Sequence, residues 1–150
     1  MIERSRSEVV FTGDQVLVNG TSFPQNTGVQ KLRNPYTLMG AQYKTEEEYW
    51  LAVLLTNQGI TFYYELVNFP GWIPDFVLKV PHKWNGEPYK GSRVWGIEVK
   101  GQSPLRPKWI EQSLGLWKAF KIPILVLSRS DIRPYYLRQR LPLQLIACHS

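Results

Sequence analysis

Two apolar runs limit what this chain can become, because each has ionisable side chains set inside it. They are IPDFVLKV, residues 73–80, and VWGIEVK, residues 94–100. Charges are seldom buried without partners. Side chains alternate between the two faces of a strand, so Trp95, Ile97 and Val99 share one face and Gly96, Glu98 and Lys100 the other. Glu98 and Lys100 would then stand about 6–7 Å apart along the strand. Gly96 lets something approach closely on their side. If the run holding Asp75 pairs with this strand, two carboxylates converge. Neighbouring anions raise each other's pKa unless a cation lies between them. The fold that suits both runs places them in one sheet, with the apolar face packed on a helix.

A chain of 150 residues, 43% hydrophobic and 20% charged, is long enough for one domain with its own core. It has no internal repeat or low-complexity tract. The opening MIERSRSEVV is too polar for a signal peptide, and no apolar run reaches about 18 residues. A soluble, cytoplasmic protein is expected. One cysteine, Cys148, leaves no internal disulfide framework and no cysteine-based zinc site, and two histidines, His82 and His149, make a histidine-rich metal centre unpromising. A metal here would be held by oxygen, which favours Mg²⁺, Mn²⁺ or Ca²⁺.

The net charge of +6 and pI of about 9.5 suggest a polyanionic partner, nucleic acid first. Five of the twelve acids are Glu46, Glu47, Glu48, Asp75 and Glu98, around the two runs, so the rest of the surface is more basic than the total.

Along the chain, residues 8–23 read as a small antiparallel meander, with turns at Gly13-Asp14 and Asn19-Gly20. Residues 24–44 read as an irregular basic connection. Thr45 is a good N-cap for a helix from about Glu46 to Asn57, with Glu48 placed to complete a capping box. Strands are expected over 60–68, 73–80, 94–100, 122–127 and 143–147. A second helix is expected over 107–120, opened by Pro107. The stretch 130–140 is basic and is expected to turn helical after Pro134. From Thr45 the order is helix, three strands, helix, strand, and then a tail. That is an α/β or α+β arrangement with a mixed sheet.

A divalent metal between Asp75 and Glu98 would resolve their repulsion, polarise a phosphate oxygen and acidify a bound water. Lys100 could orient that water and offset charge on the phosphate. Glu-Val-Lys alone is usually a solvated strand face. Joined to Pro-Asp on the preceding strand and a glutamate on the preceding helix, it is far more specific.

Pro74-Asp75 followed by Glu98-Val99-Lys100 resembles the signature of the PD-(D/E)XK nucleases. The expected element order from Thr45 to about Leu127 is also similar to that family's core. The resemblance implies a restriction-endonuclease-like fold over residues 45–127, flanked by an N-terminal meander and basic connection (1–44) and a basic tail (128–150) of the same domain. It implies Mg²⁺-dependent phosphodiester hydrolysis, with Mn²⁺ able to substitute and Ca²⁺ able to bind without supporting cleavage. Asp75 and Glu98 would be metal ligands, with the Val99 carbonyl as a further one, and Lys100 the catalytic lysine. Among candidate helix glutamates Glu48 fits best, since Leu55 and Gly59 follow it at the spacing family helices often show; Glu47 is second. Gln112 occupies a place where some members carry a polar site residue. The chain's overall look is similar to that of intron-encoded homing endonucleases of this type, as known from cyanobacteria.

Basic segments frame this core, interleaved with aromatic residues and amides. Lys31, Arg33, Lys83, Lys90, Arg93, Arg106 and Lys108 are the expected contacts to DNA phosphates. The meander, with Asp14, Gln15, Asn19 and Thr21 at its turns, and the Lys83–Arg93 hairpin loop are candidate groove readers. One site cuts one strand, so duplex cleavage calls for a homodimer, or a homotetramer built as a dimer of dimers. The reading is a site-specific double-stranded DNA endonuclease acting away from membranes. Restriction, Holliday-junction resolution and transposon cleavage are alternative roles on the same core, as is an RNase. A non-catalytic DNA-binding module, with Asp75, Glu98 and Lys100 as a structural ion-pair network, is the alternative of another class.

Overall fold

The structure, a computed structural model, describes residues 8–26, 43–87 and 89–146. Lys31, Arg33 and most of the expected basic connection lie outside the described residues, as do Cys148 and His149.

The chain is mixed α+β. Strands β1 (Val10–Thr12), β2 (Gln15–Val18) and β3 (Thr21–Pro24) form the expected antiparallel meander. Helix α1 (Glu46–Asn57) follows, then β4 (Phe62–Tyr64), β5 (Phe76–Trp84) and β6 (Ser92–Lys100). Helix α2 (Pro107–Phe120), β7 (Ile124–Ser128), α3 (Arg129–Arg138) and β8 (Leu143–Leu145) complete the described order. The main sheet runs β4-β5-β6-β7, with β8 added to β5. Only the β6–β7 pairing is parallel, and α2 makes that crossover.

The sheet is buried on both faces. On one face Phe62, Tyr64, Phe76, Ile97, Val99, Leu125 and Leu127 pack on Leu51, Leu54 and Leu55 of α1 and Ile132 of α3. On the other, Tyr63, Val77 and Ile124 meet Val16, Val18 and Phe23 of the meander and Leu116 of α2. The meander is thereby part of the packing around the site. Trp95 departs from simple alternation: it packs in this second layer while Ile97 and Val99 pack in the first. The register between β5 and β6 is irregular between Val77 and His82, which breaks the period of two there.

Local chemistry explains several boundaries. Thr45 Oγ1 accepts the Glu48 N–H at 3.1 Å, and three glutamates occupy the first turn of α1. The capping box is not completed: the Glu48 carboxylate accepts from the Lys44 N–H, at 3.0 Å, one residue before the cap. Strand β4 stops at Tyr64, short of the expected Asn68, because Glu65 takes a left-handed φ of 50°. Strand β5 starts at Phe76 and runs through Pro81, which lies where the β5–β6 register shifts and a missing N–H is tolerated. The loop between β5 and β6 therefore shrinks to 85–91, and Lys83 and Arg93 face each other as strand partners. Helix α3 begins at Arg129 and contains Pro134 instead of following it, because Ser128 and Asp131 form a full capping box. No helix among the described residues is long and apolar enough to cross a membrane.

Gly96 answers a packing demand. A Cβ there would run into the Phe76 carbonyl of β5 and lie 2.9 Å from Ile124 Cδ1. The close approach is by the neighbouring strand. Gly96→Ala is expected to lower the melting temperature by about 5–10 °C, as overpacking by about 2–3 kcal/mol would do in a chain this size. Thermal denaturation followed by circular dichroism checks this.

Candidate active site

Strand pairing brings Asp75 to Glu98. Phe76 pairs with Ile97 across β5 and β6, so Asp75, at the entrance of β5, lies beside the Glu98–Val99 peptide. Two hydrogen bonds lock them together. The Asp75 N–H donates to Glu98 Oε1 at 2.8 Å, and the Val99 N–H donates to Asp75 Oδ2 at 3.2 Å. Both side chains are buried. Lys100 Nζ stands 3.0 Å from Glu98 Oε2, and its side chain remains 25% exposed. The carboxylate pair is thus enclosed, while the ammonium beside it reaches solvent.

Glu48 joins from α1. Its Oε1 accepts the Tyr64 hydroxyl at 2.5 Å as well as the Lys44 N–H. Glu47, on the same turn, is also buried, but its charge is matched by Arg129 Nη1 at 2.5 Å. Glu47 reaches the end of β6, where a Cβ on Gly101 would lie 3.2 Å from its Oε1. Of the two, Glu48 shares the field of Asp75 and Glu98. Gln112 is exposed on α2 and takes no part in these hydrogen bonds.

The crowding shows in the titration of the acids. Burial pushes Asp75 well above the usual carboxylate range, and the charges of Glu98 and Glu48 push it further; the Val99 N–H opposes them. Glu48 is raised first by burial, against which the Tyr64 hydroxyl and the Lys44 N–H act, while Glu65 and Glu98 add to the rise. Tyr64 is driven upward by burial and by its bond to Glu48. Burial and mutual repulsion thus both favour the neutral forms of Asp75 and Glu48, and a nearby cation would oppose that trend.

Glu65 was not singled out by the sequence, where it reads as one residue of a strand. It is a buried carboxylate with Oε2 2.6 Å from Lys44 Nζ. Its N–H donates to the Asp75 carbonyl at 2.9 Å. Trp109 was also missed as a site neighbour. Its ring lies 4.6 Å from Lys100 Nζ and 5.6 Å from the Arg106 guanidinium, so Arg106 stands next to the catalytic candidate.

The other basic residues divide by position. Lys108, the second residue of α2, is exposed. Arg93 and its partner Lys83 lie seven residues along β6 from Lys100, roughly 23 Å. Lys90, in the 85–91 loop, is exposed at that same end. They cannot touch the phosphate that Lys100 would touch. Of the meander's turn residues, Asn19 donates to the Lys121 carbonyl at 3.1 Å and Gln15 accepts from Ser22.

Oxygen donors dominate the cluster, and Mg²⁺ commonly uses only one or two carboxylates together with water. Asp75, Glu98 and the Val99 carbonyl fit that demand. No group of three or more acidic, histidine or cysteine side chains among the described residues is already set as a ligand shell. A groove of about 610 Å³, lined by residues such as Tyr89, Arg93, Leu114 and Trp117, includes none of these acids. Comparisons with protein-family models, curated proteins and solved structures find no match.

A folded-state pKa above the unfolded value stabilises at low pH, and that contribution is lost as pH rises through the folded value. Without divalent ions, Asp75→Asn is therefore expected to melt near wild type at pH 4–5 and about 2–6 °C above it at pH 8. His82, lowered by burial, has the opposite pH trend but is common to both proteins and cancels in the difference. Paired thermal melts across pH check this.

Proposed function

We propose that this chain is a divalent-metal-dependent endonuclease of double-stranded DNA. The observation that carries the reading is the meeting of Asp75, Glu98 and Lys100 at one end of the β5–β6 pair, with both carboxylates buried. Asp75, Glu98 and the Val99 carbonyl would hold Mg²⁺, with Glu48 behind them. When bound, the ion supplies a polarised phosphate oxygen and a more acidic water. Asp75 would serve as a ligand in its ionised form. Lys100, reaching solvent from the Glu98 carboxylate, offers its ammonium to the phosphate and offsets charge as it builds on the oxygens. Trp109 limits where that ammonium can swing. Arg106, on the same ring, is placed to contact a neighbouring phosphate and hold the strand in register.

The distribution of basic side chains favours a long recognition site. Arg106 and Lys108 lie near Lys100, whereas Lys83, Lys90 and Arg93 lie roughly 23 Å away, about seven base pairs of duplex. Two such chains related by a two-fold axis would cover about twice that. A long, rare site suits an intron-encoded homing endonuclease better than a restriction enzyme with a short palindrome, and unbranched duplex better than a junction. One observation favours a non-catalytic DNA-binding module as the second reading: Lys100 already neutralises Glu98, so the cluster is partly satisfied as a structural network.

Incubation of the protein with plasmid DNA carrying candidate sites tests the proposal. Mg²⁺ should support cleavage and EDTA abolish it. Glu98→Gln and Lys100→Ala should each slow it by about two to three orders of magnitude. Undiminished cutting by both variants would remove these residues from the site; DNA binding without cutting under any divalent ion would favour the module.

A further inference from the structure

Four buried carboxylates, Glu48, Glu65, Asp75 and Glu98, act on one another at the site. Two ammonium groups reach them. Lys100 meets Glu98, and Lys44 meets Glu65. The Lys44 side chain is 64% exposed, whereas that of Glu65 is 7% exposed, so the ammonium comes to a fixed, enclosed carboxylate. Lys44 also links two of these acids, since its backbone N–H donates to Glu48 Oε1 at 3.0 Å while its ammonium meets Glu65.

Glu65 is held there at a cost. Its backbone has the left-handed φ of 50°, unusual for a residue with a side chain. Its N–H is tied to the Asp75 carbonyl, and its own carbonyl accepts from Asn26 Nδ2 at 2.8 Å. Its second carboxylate oxygen, Oε1, is buried without a hydrogen-bond partner. A buried carboxylate oxygen left unpaired beside Glu48 has unused capacity for a cation.

We propose that Lys44, fastened by Glu65, is a built-in second cation of this site, filling the place between Glu65 and Glu48 that a second ion would take, so that each chain takes one divalent ion and not two. This rests on the metal-dependent reading above and fixes the ion count and the role of two residues outside the Asp75–Glu98–Lys100 trio. Lys44 acts as a positioning residue: it holds Glu65 through its ammonium and Glu48 through its backbone N–H, and Glu65 in turn is tied to the Asp75 carbonyl.

Isothermal titration calorimetry with Ca²⁺ at neutral pH tests this. Wild type should bind one ion per chain. Lys44→Met should bind two, the second through Glu65 and Glu48, and adding Glu65→Gln should return the count to one. Lys44→Arg, which keeps the charge, should stay at one. Metal-free melts give a readout independent of stoichiometry: Lys44→Met should melt below wild type, and Glu65→Gln in that background should recover the loss. Two ions on wild type, or one ion at unchanged affinity on a folded Lys44→Met, would overturn the inference and leave the metal-dependent reading standing. No ion on wild type would overturn both.

Discussion

Asp75 and the Glu98–Val99 peptide exchange hydrogen bonds across the β5–β6 pair, and the rest of the site depends on that exchange. Each carboxylate accepts a backbone N–H from the other's strand. Backbone donors fix the positions of the two acids without neutralising them, so their repulsion is held in place by the sheet. Gly96 is what lets the strands come this close, since the Phe76 carbonyl occupies the space a side chain would need. Once the acids are fixed, the other groups fall into two sets. Lys100, Trp109 and Arg106 lie on the side that reaches solvent. Glu48, Tyr64, Glu65 and Lys44 close the side toward α1.

Much of this was legible in the sequence where a local rule acts alone. The cap at Thr45, the Pro107 helix start and the alternation through Glu98 and Lys100 each follow from one local preference, and α1, α2 and β6 match them. What escaped depends on distant partners. Glu65 looked like mid-strand, and only its ties to Asp75 and Lys44 account for its left-handed turn. Pro81 and Pro134 looked like breaks, but a register shift accommodates the first and a strong cap precedes the second. Trp95 crosses to the second layer because that irregularity interrupts the period of two. Glu47 and Glu48 are equivalent as text; Arg129, 82 residues away, separates them by taking Glu47.

The positive charge is likewise arranged by the fold. Its members near Lys100 come from the start of α2, and those farther away come from the β5–β6 hairpin. Positive charge at both ends of one strand, with a negative pocket at one of them, describes a surface that can lie along a polyanion and act at one point on it.

The central claim is that Lys100 meets Glu98 and leaves Asp75, buried beside it, without an ion-pair partner of its own. The carboxyl ¹³C shift of Asp75, one of three aspartates in the chain, followed by NMR against pH with and without Ca²⁺, tests it most directly. The account predicts titration well above the usual carboxylate range in EDTA, and a return to or below that range when Ca²⁺ is present. An Asp75 that ionises near pH 4 in EDTA and ignores Ca²⁺ would contradict it.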